Sequence, residues 1–315
     1  MGFDAGAQRT LADRVTIEGR GVHSNAPVTL TLHPADPNSG IIFLRTNLAG
    51  SRDVEIRASW EKVSATALCT VLGDLNGAYV STVEHLMAAL RALGIDNVLV
   101  ELDGPELPIE DGSSAPFIAA IDRVGTITQA ARRRYIRVLK PVRVESKGAF
   151  GELRPYDGFR YDVTIDFDTP VIGRQSIAFD LTEGYFRKEL SRARTFGFLK
   201  DLETMLKMGF ARGSSLENSV AISEDRVLNP EGLRYANEFV RHKALDAIGD
   251  LSLAGAPLLG AYRSYKGGHR LNFAMLHTLF EDKTAWEVVE APVRRETGHA
   301  ELPRAAAAVF GPETA

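Results

Sequence analysis

From residue 15 to residue 46 apolar and polar positions alternate with a period of two: Val15-Thr-Ile17, Pro27-Val-Thr-Leu-Thr-Leu32 and, beyond a Pro37-Asn-Ser-Gly40 turn, Ile41-Ile-Phe-Leu44. Such alternation turns one face of a strand to a core and the other to water, so the chain is predicted to begin β-rich. The period then lengthens. Ser81-Thr-Val-Glu-His-Leu-Met-Ala-Ala-Leu-Arg-Ala-Leu93 is predicted helical and stopped by Gly94, and Asn97-Val-Leu-Val-Glu-Leu102 follows as an apolar strand. Ala130-Ala-Arg-Arg-Arg134 reads as a polar join, after which the same grammar returns. Strand text covers residues 135–144 and 151–154, Tyr156-Asp-Gly158 reads as a hairpin turn, and residues 160–167 alternate again. A helix ends before Gly255-Ala-Pro257 and strand-like text resumes at 258–262.

Two halves of one plan predict an α+β protein built by structural duplication. The expected domains are 1–130 and 131–290, the second interrupted near 184–215 by helical, Gly-flanked text that reads as an insertion over a site. Residues 291–315, rich in Arg, Glu, Pro and Ala, read as a loosely ordered tail.

Composition narrows the function classes. Of 315 residues 44% are hydrophobic and 25% charged, an ordinary balance for a globular chain, and the net charge is −4. Arg132-Arg133-Arg134 is the longest basic run, so no nucleic-acid partner is expected. The one cysteine, Cys69, cannot close an intrachain disulfide and reads as a buried core residue in a reducing compartment. Neither a signal-peptide core nor an apolar run long enough for a membrane span is visible, so the expected location is the cytoplasm.

Chemistry concentrates in Phe239-Val-Arg-His-Lys-Ala-Leu-Asp-Ala-Ile-Gly-Asp250. At about 3.6 residues per turn, His242, Asp246 and Asp250 fall within ~80° of arc with Lys243 beside Asp250, while Val240, Ala244, Ala247 and Leu251 form a separate apolar stripe. By itself His242-x-x-x-Asp246 is as readily an ion pair on a solvated helix. Glu84-His85 has an ordinary alternative too, because Ser81-x-x-Glu84 matches a capping box. Yet His85, His242 and Asp246 together supply the three ligands of a hydrolytic metal site, with Glu84 adjacent as general base, and the metal then lies between the halves. His269, on the Gly267-Gly268 turn, reads either as an exposed loop histidine or as an acid oriented by Asp250.

Five segments in order carry a resemblance: Ser81-Thr-Val-Glu-His-Leu86, Leu102-Asp-Gly-Pro-Glu-Leu-Pro-Ile-Glu-Asp-Gly-Ser113, Ser191-Arg-Ala-Arg-Thr-Phe-Gly-Phe198, the stretch 239–251, and Gly267-Gly-His-Arg-Leu-Asn272. Together they closely resemble the UDP-3-O-acyl-N-acetylglucosamine deacetylase family, the zinc amidases of lipid A biosynthesis in Gram-negative bacteria. The resemblance implies two similar α+β domains, each a sheet with helices. It also implies helices packed between the sheets, an active site at the domain interface and an acyl passage formed by the insertion. It implies one Zn²⁺ on His85, His242 and Asp246, with Fe²⁺ equally suited to that donor set.

Glu84 matches the family's base and His269 its acid, with Asp250 as carboxylate partner, and Lys243 and Thr195 match oxyanion-stabilising residues. Phe167 and Lys266 match contacts to the uridine and phosphate portion of the substrate. Phe196, Gly213 and Ser214 match the substrate lining. His23, in a Gly-x-Gly-x-His segment, matches a position near the site and reads equally as a structural turn. The expected reaction is hydrolysis of the N-acetyl amide of a UDP-linked 3-O-acylated glucosamine to free amine and acetate, by a monomer in peripheral contact with the membrane. The alternatives are a metal amidase for another acylated sugar and a non-catalytic nucleotide-sugar binding protein.

Overall fold

The structure, a computed structural model, describes residues 6–48 and 52–291. Its helices are α1 (Glu84–Ala92), α2 (Ala115–Val124), α3 (Glu183–Tyr185), which runs on into a π-helical turn, α4 (Leu199–Lys207), α5 (Glu238–Leu251) and α6 (His269–Glu281). In the first half a five-stranded sheet has the order Val15–Arg20, Pro27–Pro34, Val98–Leu102, Ile41–Arg45, Val54–Arg57. The second half holds a seven-stranded sheet whose central strand is Leu258–Tyr265.

Helices lie between the two sheets. Every residue of α1 except Arg91 is buried, an unusual fate for a helix and the reason its sequence is Ala- and Leu-rich all round. One apolar core links Leu30, Phe43 and Val100 of the first sheet, Leu86 and Leu90 of α1, Leu245 and Ile248 of α5, and Val163, Ile177 and Tyr262 of the second sheet. Gly249 sets the spacing of α1 and α5. A Cβ there would stand 2.0 Å from the Glu84 carbonyl oxygen, so only glycine admits α5 against the start of α1.

Two local expectations are corrected. Tyr156-Asp-Gly158 reverses the chain but makes no hairpin: strands Ala149–Arg154 and Phe159–Asp166 pair with opposite edges of Leu258–Tyr265, antiparallel and parallel respectively. Turn chemistry specifies the reversal, whereas a strand from 100 residues downstream takes the slot between them. The expected polar join is strand as well. Thr126–Arg132 pairs with Ala7–Leu11, Arg134–Val138 joins the second sheet, and the intervening Arg133 is buried with its guanidinium on Asp96 at 2.8 Å. Three consecutive arginines look polar in one dimension, yet in the strands Arg132 and Arg134 stay exposed while the stem and paired head of Arg133 fit between layers.

Across 183–227, α3, α4 and a small sheet of Phe196–Phe198, Val220–Ser223 and Arg226–Val227 stand outside the seven-stranded sheet. Of the expected tail, residues 292–315 lie outside the described residues. Ala291 is buried and donates its N–H to the Arg133 carbonyl at 2.9 Å. No helix among the described residues is long and apolar enough to cross a membrane.

Candidate active site

The solvated-pair alternative for α5 does not hold. His242, Asp246 and Asp250 are 2%, 1% and 3% exposed. His242 Nδ1 lies 3.0 Å from the Ala193 carbonyl, which can only accept, so Nδ1 carries the proton and Nε2 keeps its lone pair. That lone pair stands 3.3 Å from Asp246 Oδ1, and His85 Nε2 is 3.7 Å from the same oxygen. The two imidazole planes are 81° apart at a centroid distance of 5.1 Å. Among the described residues, one ligand atom from each of His85, His242 and Asp246 lies within 4.8 Å of the others.

Asp246 is divided in its duties. Its Oδ2 accepts from Lys243 Nζ at 2.7 Å, while Oδ1 is buried with no hydrogen-bond partner. An orphaned carboxylate oxygen facing two imidazole nitrogens is costly without a cation and well suited to one. Electrostatics point the same way. Burial, reinforced by His242, drives the His85 pKa down to about 3, and burial likewise lowers His242, so both rings are neutral and able to act as ligands. Burial opposes charge on Asp246, but its charged surroundings, with the Lys243 ammonium hydrogen-bonded to Oδ2, outweigh it and hold the carboxyl well below its usual range. Two neutral imidazoles and a carboxylate fit a divalent metal.

Glu84 and His269 face this cluster from the other side. The capping box does not form: α1 begins at Glu84 itself, Val83 precedes it without a side-chain cap, and Ser81 Oγ donates instead to the Pro105 carbonyl. Freed from the helix start, Glu84 Oε2 accepts from the Thr70 N–H at 3.1 Å and Oε1 stands 3.7 Å from His269 Nε2. His269 is buried at the first residue of α6 and donates Nδ1–H to Asp250 Oδ2 at 2.8 Å, which excludes the exposed-loop alternative. Burial pushes the Glu84 pKa up to about 7 against the pull of His269. Burial also disfavours the His269 imidazolium, but Asp250 and Glu84 outweigh it and raise that pKa to about 9. Between about pH 7 and about pH 9 an ionised carboxylate and a protonated imidazole thus coexist beside a cluster that could hold a metal.

Residues 8–281 match the family model for LpxC, UDP-3-O-acyl N-acetylglycosamine deacetylase. The chain belongs to this family. Among curated relatives, the UDP-3-O-acyl-N-acetylglucosamine deacetylases of Brucella ovis and Brucella abortus are each 54% identical over 285 residues, covering 90% of this chain and 99% of theirs. That of Brucella melitensis is 53% identical with the same coverage. This family member is accordingly a deacetylase whose residues fit a metal.

The remaining expected site residues of this deacetylase sit at varying distance from the cluster. Thr195 lies between Ala193, which holds His242, and Phe196, whose ring is 6.3 Å from His242 and 5.6 Å from Lys243 Nζ. Phe167 packs edge-on to Phe196 at 5.9 Å. Half-buried His23 accepts from the Ala211 N–H at 3.3 Å, and burial lowers its pKa against the opposing pull of Glu106. Gly213 donates to the Val22 carbonyl at 2.9 Å, and Ser214 Oγ shares a hydrogen bond with Ser219. Lys266 makes no ion pair with the cluster and pairs with Asp166 at 3.5 Å.

Three supports went unread in the sequence. Thr70 Oγ1 donates to Asp250 Oδ1 at 2.7 Å, Asn272 Nδ2 to Asp250 Oδ2 at 2.8 Å, and the Ala193 carbonyl fixes the His242 tautomer. Nothing local marks a threonine beside a cysteine or a backbone oxygen. Asn272, three residues after His269 on one helix face, carried the only usable signal.

Proposed function

We propose that the chain hydrolyses the N-acetyl amide of a UDP-linked, 3-O-acylated N-acetylglucosamine, giving acetate and the free 2-amine, the deacetylation that its relatives' names describe and a step of lipid A biosynthesis. One zinc ion is held by His85, His242 and Asp246, a set that accommodates Fe²⁺ as well. When bound, the ion polarises the amide carbonyl and lowers the pKa of a water. The observation that carries the reading is the orphaned Asp246 Oδ1 facing two neutral imidazoles, with Glu84 and protonated His269 opposite.

Glu84 takes the proton of the attacking water. Lys243 and Thr195 stabilise the negative charge that develops on the carbonyl oxygen. His269, oriented and kept charged by Asp250, protonates the departing amine, since an amide anion is too poor a leaving group. Phe167, Phe196, Gly213, Ser214, Lys266 and His23 line the path to the nucleotide and sugar.

The acyl chain follows α4. None of its residues is buried, and Leu199, Leu206 and the following Met208 are 49%, 43% and 63% exposed. The same apolar surface suits peripheral contact of a cytoplasmic monomer with the membrane. Acetate release from the UDP-linked substrate tests the reading. Release should be abolished by a chelator and restored by added zinc, and undiminished turnover in chelator would overturn it. Equal rates on a substrate lacking the 3-O-acyl chain would favour a different acylated sugar.

A further inference from the structure

Outside the residues already given roles, Thr70 stands out. It is 2% exposed and joins the exposed loop at Leu68 to the strand Val71–Gly73. Its backbone N–H donates to Glu84 Oε2 at 3.1 Å and its hydroxyl to Asp250 Oδ1 at 2.7 Å, so one residue grips both carboxylates that flank His269. The two carboxylates sit on different helices, Glu84 on α1 and Asp250 on α5. No other residue hydrogen-bonded to Glu84's side chain is found among the described residues, whereas Asp250 also holds His269 and Asn272.

The approach to Thr70 is itself held under strain. Leu68, a non-glycine residue, has φ of +66°, in the left-handed region that a γ-branched side chain seldom enters, and its side chain is 48% exposed. Strained backbone persists where its surroundings over-determine it, and here Cys69 and Thr70 behind it are buried.

We propose that Thr70 is a positioning residue for deacetylation, fixing Glu84 through its amide and the Asp250–His269 pair through its hydroxyl so that base and acid keep one relative geometry. The side chains it hydrogen-bonds are those of Glu84 and Asp250, neither of which belongs to the ligand set. The proposal rests on the roles given above to Glu84 and His269. With the hydroxyl gone, Asp250 Oδ1 is a buried acceptor without a donor, Asp250 is free to turn, and His269 turns with it.

The test uses the metal-loaded full chain and its isosteric Thr70→Val variant, which keeps the amide but lacks the hydroxyl. We expect kcat to fall about 10- to 100-fold, the usual scale for one hydrogen bond to a charged or second-layer group, with KM within about twofold and metal content unchanged. Thr70→Ser should recover most of the rate. In the metal-free protein the sheltered Nδ1–H proton resonance of His269 should exchange faster with water in the valine variant and return to its original rate in the serine one. If valine is not tolerated, Thr70→Ala gives the same readouts. A kcat within twofold of the unaltered chain, or no recovery by serine, would overturn the role of Thr70. Failure of the underlying roles is seen separately, as near-normal rates in Glu84→Ala and His269→Ala.

Discussion

Helix α5 carries two buried charged clusters, built on opposite plans. Near its start, fully buried Glu238 spends both oxygens: Oε1 accepts from Arg194 N and Nε at 3.0 and 2.9 Å, and Oε2 from Arg194 Nη2 at 3.2 Å and the Arg234 N–H at 2.6 Å. Arg194, 1% exposed, completes its set on Glu231 and the Gly232 carbonyl. One turn on, His242 and Asp246 are buried as deeply, yet Asp246 Oδ1 has no donor and the Nε2 atoms of His242 and His85 both stand near it. The same segment serves both clusters, Arg194 on Glu238 and the Ala193 carbonyl on His242. A closed network has nothing left to bind. An open one whose unspent groups converge has chemistry to offer, so burial of charge alone distinguishes neither.

The largest test of this contrast removes the groups facing the open cluster. Glu84→Ala and His269→Ala should each lower kcat by about 10²- to 10⁴-fold in protein that still folds and binds metal, because each proton-transfer partner acts on the reaction and lies outside the metal-ligand set. The pH profile of kcat/KM should rise as Glu84, pushed up to about 7, loses its proton, and fall as His269, raised to about 9, loses its own. His269→Gln should delete the basic limb. A profile unchanged by that substitution would remove His269 from its role as acid.

Breaking the closed cluster should do the reverse. Arg194→Met leaves Glu238 buried without its cation and with only the Arg194 and Arg234 backbone N–H groups as donors, and should lower the unfolding free energy by about 3–5 kcal/mol in denaturant titrations. Metal bound per folded molecule should hold. Loss of metal without loss of stability would show that the two clusters are one. The smallest effect is expected on the surface, where Arg187 forks onto Asp122 with both bonds at 2.8 Å while remaining a third exposed. Arg187→Ala should shift stability by no more than about 1 kcal/mol, since solvent screens such pairs. A larger shift would mean that geometry outweighs exposure here.

Much of this was legible beforehand, for identifiable reasons. The alternation over residues 15–46 reported real strands because period two is a property of the extended backbone, and Gly94, at φ of +66°, ended α1's turn as glycine does. Illegible features depended on partners far away in the chain. Ser81-x-x-Glu84 has the letters of a capping box, but Glu84 is drawn instead to the Thr70 amide. Tyr156-Asp-Gly158 has the letters of a hairpin, but strand Leu258–Tyr265 claims both neighbours.

By itself the sequence determined which elements form and which chemical groups each presents, because helical and strand spacing are set by covalent geometry within a few residues. It placed His242, Asp246 and Asp250 on one face of a helix before any fold was known. Tertiary structure alone decided that this face meets α1, through the missing side chain of Gly249, and that Asp246 Oδ1 is left without a donor while every oxygen of Glu238 is filled. It alone brought Thr70 to Asp250 across 180 residues. Such contacts are fixed by the packing of the whole core, and no local preference encodes them.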